Sequence, residues 1–138
     1  MNLPTEQKGA LVNDCENELV DPVNELSEGS PLVEDCYKLA DSIPGSHTWY
    51  AYGHQQKTLK TNGTCAFGVE NVGSGWGTAA KIGNDDIRKA VWLAIDQHGA
   101  LVNGVKRIAA KGTMQCQQEA DPIKRRILAV NWSVYHSK

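Results

Sequence analysis

The clearest periodicity in the chain is helical. Ile87, Ala90, Val91, Ala94, Ile95 and His98 recur at three- and four-residue spacing, which gathers them on one face. Asn84 is placed as the N-cap, and Asp85 and Asp86 occupy the first turn, where the positive end of the helix dipole favours carboxylates. Gly99 stops the helix. A second helix is predicted to open at Ser30-Pro31, with Ser30 as N-cap, Pro31 at the first helical position and Glu34 and Asp35 in the first turn. Its apolar face is Val33, Cys36, Tyr37, Ala40 and Ile43, and Pro44-Gly45 ends it.

Two-residue alternation marks much of the remainder. Residues 47–53 read as an edge-like strand, with Trp49 and Ala51 against Tyr50 and Tyr52, and residues 55–61 continue it with a polar side out. Asn62-Gly63 is a hairpin turn, because both residues tolerate positive φ. In the strand over 64–72, Cys65, Phe67 and Val69 share one face, and Gly68 leaves a bare spot on the other. The glycine-rich turn Gly73-Ser-Gly-Trp-Gly77 leads to a strand over 78–82 and so into the longer helix. Beyond that helix, Asn103-Gly104 turns into a strand over 105–116, in which Ile108, Ala110, Met114 and Cys116 share one parity and Gly112 marks an expected bulge. The last strand, 125–136, sets Leu128, Val130, Trp132 and Val134 against Ala129, Asn131, Ser133 and Tyr135. Hairpin-like links within each strand pair predict an α+β two-layer sandwich, a largely antiparallel sheet of four to five strands with two helices on one face.

At 138 residues the chain suits one domain. Residues 1–14 are expected to be a flexible N-terminal segment and 15–138 a single domain, its first part an irregular arm pinned through Cys15 with room for one short strand. No apolar run approaches the ~20 residues of a membrane span. Four dispersed cysteines, Cys15, Cys36, Cys65 and Cys116, lack zinc spacing and suit two disulfides, with all three pairings open. Two sequons, at Asn62 and Asn131, are glycosylation candidates compatible with secretion. The start Met1-Asn-Leu-Pro-Thr-Glu-Gln has no apolar h-region, so if the protein is secreted its signal peptide is expected outside this sequence, with Met1 an expression start or a trimmed mature end. The net charge of −2 hides an acidic stretch up to Ile43 and a more basic remainder. No cluster is basic enough to indicate nucleic acid.

The search for catalytic chemistry yields little. His47, His54, His98 and His136 have no carboxylate, cysteine or serine at a recognised motif spacing. Asp85 and Asp86 point ~100° apart on a helix and do not share a site. Glu70 and Asp96 pair only if the fold brings them together. No metal, cofactor or catalytic residue is expected. Trp76, in the glycine-rich turn, and Trp92, off the helix's apolar face, are candidate contact residues, since aromatics anchor interfaces. Lys106, Arg107, Lys111, Arg125 and Arg126 form a candidate basic surface if they gather on one face.

The pieces Cys15, Ser30-Pro-Leu-Val-Glu-Asp-Cys36, Gly63-Thr-Cys-Ala-Phe-Gly-Val69, Ile82-Gly-Asn-Asp-Asp-Ile87, Ala110-Lys-Gly-Thr-Met-Gln-Cys116 and Trp132-Ser-Val-Tyr-His136 carry a resemblance in order and spacing. Together they resemble the fungal extracellular-protein-two effectors, also described as necrosis-inducing factors, over nearly the whole chain. The resemblance implies a small, secreted, disulfide-bonded fungal virulence protein that provokes cell death or recognition in a plant host. It further implies similarity to killer-protein-four-like toxins, α/β sandwiches for which calcium-channel inhibition has been proposed. No catalytic residue comes with the family. The expected protein is a monomeric effector that binds a plant host protein or membrane component. The alternative is an antimicrobial toxin acting on membranes or ion channels of competing microbes.

Overall fold

The alternating run near the C-terminus becomes the centre of the sheet. In a computed structural model that describes residues 14–21, 26–43, 48–53, 55–73, 79–118 and 127–137, this run is β9 (Ile127–His136), flanked on both sides by antiparallel neighbours. The elements before it are β1 (Cys15–Val20), α1 (Val33–Asp41), β2 (Thr48–Tyr52), β3 (Gln56–Asn62), β4 (Cys65–Asn71), β5 (Ala79–Gly83), α2 (Asn84–His98), β6 (Ala100–Val102), β7 (Val105–Arg107) and β8 (Ala110–Gln117). Five strands form one antiparallel sheet in the order β1-β8-β9-β4-β3, while β2 with β5 and β6 with β7 form two-stranded ribbons. The fold is thus a disulfide-bonded α+β sandwich, as the alternation implied.

One face of β9 is sealed and the other is open. Leu128, Val130, Trp132 and Val134 are buried, whereas Ile127, Ala129 and Asn131 are exposed. Phe67 of β4 stacks on Trp132 with ring centroids 6.1 Å apart, and the indole N–H donates to the Thr113 carbonyl at 3.2 Å. Gly112 is needed here because of close approach. A Cβ would lie 1.9 Å from the Leu19 carbonyl oxygen and 2.6 Å from the Trp132 ring. The bulge expected at Gly112 lies instead on the facing strand, β1, between Glu16 and Leu19.

Both helices feed the same core. Val33, Cys36, Leu39 and Ala40 of α1 and Ile87, Ala90, Val91, Ala94 and Ile95 of α2 join Phe67, Val69, Val130 and Trp132 in one cluster. The helix starts differ from the sequence expectation. The N-cap of α1 is Leu32, not Ser30, because the Leu32 N–H is already satisfied by the Thr64 hydroxyl and the Leu32 carbonyl accepts the first helical bond from Cys36. The N-cap of α2 is Gly83, and Asn84 is its first helical residue. Tyr37, assigned by periodicity to the buried face of α1, is 48% exposed, and Leu39 fills the core in its place.

Three strand expectations are also corrected. Residues 55–61 do not continue β2; they form β3 at the edge of the main sheet, joined to β4 through the Asn62-Gly63 turn. The strands over 64–72 and 78–82 are not partners, since β5 pairs with β2 through Trp49 with Ile82 and Ala51 with Ala80. The single strand expected over 105–116 divides into β7 and β8. Ile108 turns its side chain into the core and gives its N–H to the Pro31 carbonyl at 3.0 Å, which takes the chain off the register of the β6–β7 ribbon.

Two disulfides bind these layers. Cys15–Cys116 joins directly paired positions of β1 and β8, and Cys36–Cys65 ties α1 to β4, so the structure selects one of the three open pairings. Among the described residues no helix is long and apolar enough to cross a membrane.

Candidate functional site

Two polar clamps fix the framework on which any site must stand. Beside Cys36–Cys65, the Asp35 carboxylate accepts from the Thr64 N–H at 2.8 Å and from the Thr64 hydroxyl at 2.7 Å, while that hydroxyl accepts from the Leu32 N–H at 2.9 Å. These bonds hold the Asp35 carboxyl below its ordinary range. The turn residue Gly63, at φ +56°, passes so close to this carboxylate that a Cβ would lie 2.6 Å from it. Beside Cys15–Cys116, the Asp86 carboxylate accepts from the N–H groups of Gly83 and Asp14, each at 2.7 Å. Asp86 is fully buried, and desolvation pushes its pKa up to about 6 although backbone N–H groups around it act in the opposite direction. Its role is therefore more than the compensation of a helix dipole.

The expected contact residues are dispersed. Trp92 is 45% exposed on the outer side of α2, in a shallow depression of about 400 Å³ shared with Glu18, Lys89, Leu93 and Asp96. Lys111 stands on the open sheet face in a polar cleft of about 260 Å³ with Asp21, Gln56, Glu70, Asn131 and Ser133. Glu70 and Asp96 thus line separate depressions and do not form a carboxylate pair. Arg107 is engaged structurally, its guanidinium donating to the Ser30 carbonyl at 2.7 Å. Lys106 lies beside α1, apart from Lys111. Trp76, Arg125, Arg126, His47 and His54 lie outside the described residues. Of the sequon residues, Asn62 closes β3 at the hairpin and Asn131 sits on the open face of β9. Among the described residues no group of three or more His, Cys, Asp or Glu side chains is placed to hold a metal ion.

The feature that sequence reasoning missed is a groove between α1 and the β6–β7 ribbon. The ribbon is held there by the Leu32–Arg107 bridge, by the Ile108 N–H and by the Arg107 guanidinium. Between it and the helix is a groove of about 450 Å³ lined by Leu32, Val33, Glu34, Tyr37, Lys38, Asp41, Val105 and Lys106. Glu34, Tyr37, Lys38 and Asp41 recur at i, i+3, i+4 and i+7, which makes them one stripe of the helix. That spacing was present in the sequence. Periodicity alone hides it, because Tyr37 adjoins the core stripe of the same helix.

Comparison with known proteins adds the family. The Hce2 family model, described as "Pathogen effector; putative necrosis-inducing factor", matches residues 14–116, a span that holds all four disulfide cysteines. Two proteins of Penicillium expansum are also similar. One, named "Probable chitinase LysM18", is 33% identical over 113 residues, and another, named "Secreted chitinase LysM12", is 30% identical over 114. These alignments cover 81% and 82% of this chain and 7% of each relative, so the chain spans a small fraction of the curated relatives it matches. The match over residues 14–116 agrees with the motifs that frame both disulfides: this chain belongs to the Hce2 family of pathogen effectors.

Proposed function

We propose that the chain is an extracellular fungal effector domain that acts on a plant host by binding and not by catalysis, with necrosis or defence signalling as the outcome. The observation that carries this reading is the family match over residues 14–116. The word "Secreted" in one relative's name and the use of all four cysteines in disulfides support the extracellular setting. The test is infiltration of purified, oxidised protein into leaves of candidate hosts, beside growth assays on yeasts and filamentous fungi, with reduced and alkylated protein as control. Fold-dependent necrosis or defence signalling in leaves is expected. Growth inhibition of the microbes alone would move the assignment to an antimicrobial toxin. A basic surface that gathers Lys106, Arg107, Lys111, Arg125 and Arg126 on one face would favour that alternative; Lys106 and Lys111 line different depressions, and Arg125 and Arg126 lie outside the described residues.

A second reading concerns the ligand. The two relatives are named chitinases, and in this reading the segment shared with them holds the polymer on which a chitinase acts. The ligand class in this reading is a β-linked N-acetylglucosamine polymer, held as a binding module holds it. Retention of the oxidised protein on chitin beads and its absence from cellulose beads would support this, and equal passage through both would remove it.

A further inference from the structure

We propose that the groove between α1 and the β6–β7 ribbon is a carbohydrate subsite, in which the Tyr37 ring stacks against an N-acetylated pyranose. The proposal rests on the carbohydrate reading above and assigns it a place on the molecule.

The groove has the size and make-up of a small-ligand site. Its volume of about 450 Å³ falls within the ~300–1,000 Å³ typical of such pockets, and its lining combines the apolar surface of Leu32, Val33, Tyr37 and Val105 with the charged side chains of Glu34, Lys38, Asp41 and Lys106. Tyr37 is 48% exposed and Val105 is 43% exposed although both belong to regular elements, so apolar surface stands open inside the concavity. A phenol ring offers a flat apolar face with a polar tip. The C–H face of a pyranose fits the first, and its hydroxyls suit the second.

The charges point to a neutral, polyhydroxylated occupant. Glu34 and Asp41 are balanced by Lys38 and Lys106, so the lining carries no net charge and favours neither an anionic nor a cationic partner. Glu34 and Lys38 form an ion pair at 3.4 Å; carboxylates accept hydrogen bonds and ammonium groups donate them, which matches hydroxyls and an acetamido group that do both. The seven-residue spacing sets Glu34 and Asp41 ~10 Å apart along the helix, a length of about two sugar rings, with Tyr37 between them. Val105 supplies an apolar surface for an acetyl methyl group.

The groove walls are also rigid. The α1 side is pinned by Cys36–Cys65 and by the Asp35–Thr64 bonds, and the ribbon side by Ile108 and Arg107. A ligand entering a preformed site of this kind loses less to ordering of the protein.

The test is calorimetric titration of the oxidised protein with a chito-oligosaccharide, using wild type, Tyr37→Ala, Tyr37→Phe and Tyr52→Ala. Tyr52 is a comparably exposed tyrosine on β2, outside the groove, and controls for loss of any surface ring. Tyr37→Ala is expected to weaken binding about tenfold or more, with Tyr37→Phe and Tyr52→Ala close to wild type. Circular dichroism of each variant verifies that the fold is kept. Wild-type affinity in Tyr37→Ala would overturn the subsite while leaving the carbohydrate reading intact, as would equal weakening by Tyr52→Ala. A wild-type dimer that Tyr37→Ala dissociates, seen by sedimentation, would give the groove to a second copy of the chain and overturn the proposal. Failure of wild type to bind at all would remove the carbohydrate reading and the subsite with it.

Discussion

Asp86 joins the start of α2 to the segment before β1 through one carboxylate, and its burial gives it a sign opposite to that of most aspartates. Its oxygen accepts from Gly83 at the start of α2 and from Asp14 beside the first disulfide cysteine. The folded pKa of about 6 lies above the 3.8 of an ordinary aspartate. Between those values the folded state keeps a proton that the unfolded chain releases, so stability falls as pH rises from about 4 to about 6. At ~1.4 kcal/mol per tenfold change in proton affinity, the effect amounts to ~2–3 kcal/mol. Asp35 works the other way. Its pKa is lowered by Thr64, so its contribution is present above the ordinary carboxylate range and is lost in acid. Replacing Asp86 with Asn keeps an acceptor oxygen for both N–H groups and removes the charge. Urea unfolding at pH 4.5 and pH 7.5 is expected to show a loss of stability for wild type and a much smaller change for Asp86→Asn. A wild-type protein more stable at pH 7.5 than at pH 4.5 would show that burial of Asp86 does not control the profile. None of this was legible in the sequence, where Asp85 and Asp86 are equivalent neighbours; only the fold buries one fully and leaves the other half-buried in an ion pair with Lys89.

At the scale of elements, the contact between α1 and α2 depends on a charged residue set into an apolar stripe. Arg88 is 5% exposed and donates from Nε to the Ala40 carbonyl at 3.2 Å and from Nη2 to the Ile43 carbonyl at 3.3 Å. These carbonyls lie at the C-terminal end of α1, where unsatisfied acceptors and the negative dipole end favour a cation. Arg88→Met removes both bonds and leaves the carbonyls buried, for an expected loss of ~2–4 kcal/mol. Arg88→Lys, which lacks the planar fork, recovers only part of it. Guanidinium unfolding curves of the two variants measure the difference, and a neutral Arg88→Met would assign the helix contact to apolar packing alone. Arg88 stands three residues before Val91 and seven before Ile95, so the sequence did carry a hint: a charge on the apolar face of the most regular helix. The elements themselves were largely legible, because β9, β4 and α2 obey strong local periods. Their partners were not. Pairing of β5 with β2 instead of β4, and the division of β7 from β8 at Ile108, depend on contacts with segments far away in sequence, and local alternation holds no record of them. The groove shares this origin, since its two walls come from α1 and a ribbon about sixty residues later.

At the scale of the whole molecule, the two disulfides divide the work of holding a domain whose sheet joins both ends of the described chain. Cys15–Cys116 closes a separation of 101 residues and Cys36–Cys65 one of 29. The second loop lies wholly inside the first. In the chain-entropy account, loops of these lengths stabilise by ~3–5 kcal/mol each, and the longer contributes ~1 kcal/mol more than the shorter. Together they approach the ~5–15 kcal/mol by which a domain of this size is stable, so loss of both should leave little or no folded protein. Paired Ser substitutions separate the roles. Removing Cys36 and Cys65 frees α1 from β4 and loosens one wall of the groove, while β1 stays attached to β8. Removing Cys15 and Cys116 releases the edge strand and the backbone around Asp86, while α1 and the groove stay pinned. Thermal unfolding is expected to rank the proteins as wild type, then the variant lacking Cys36–Cys65, then the variant lacking Cys15–Cys116, with fully reduced protein unfolded at room temperature. The functional readouts should not follow that rank. If the Tyr37 groove binds carbohydrate, the variant lacking Cys36–Cys65 loses affinity before it loses its fold, whereas the less stable variant lacking Cys15–Cys116 retains affinity below its melting temperature. Affinity that tracks stability alone in both variants would assign the disulfides to the scaffold only and withdraw their part in shaping the groove.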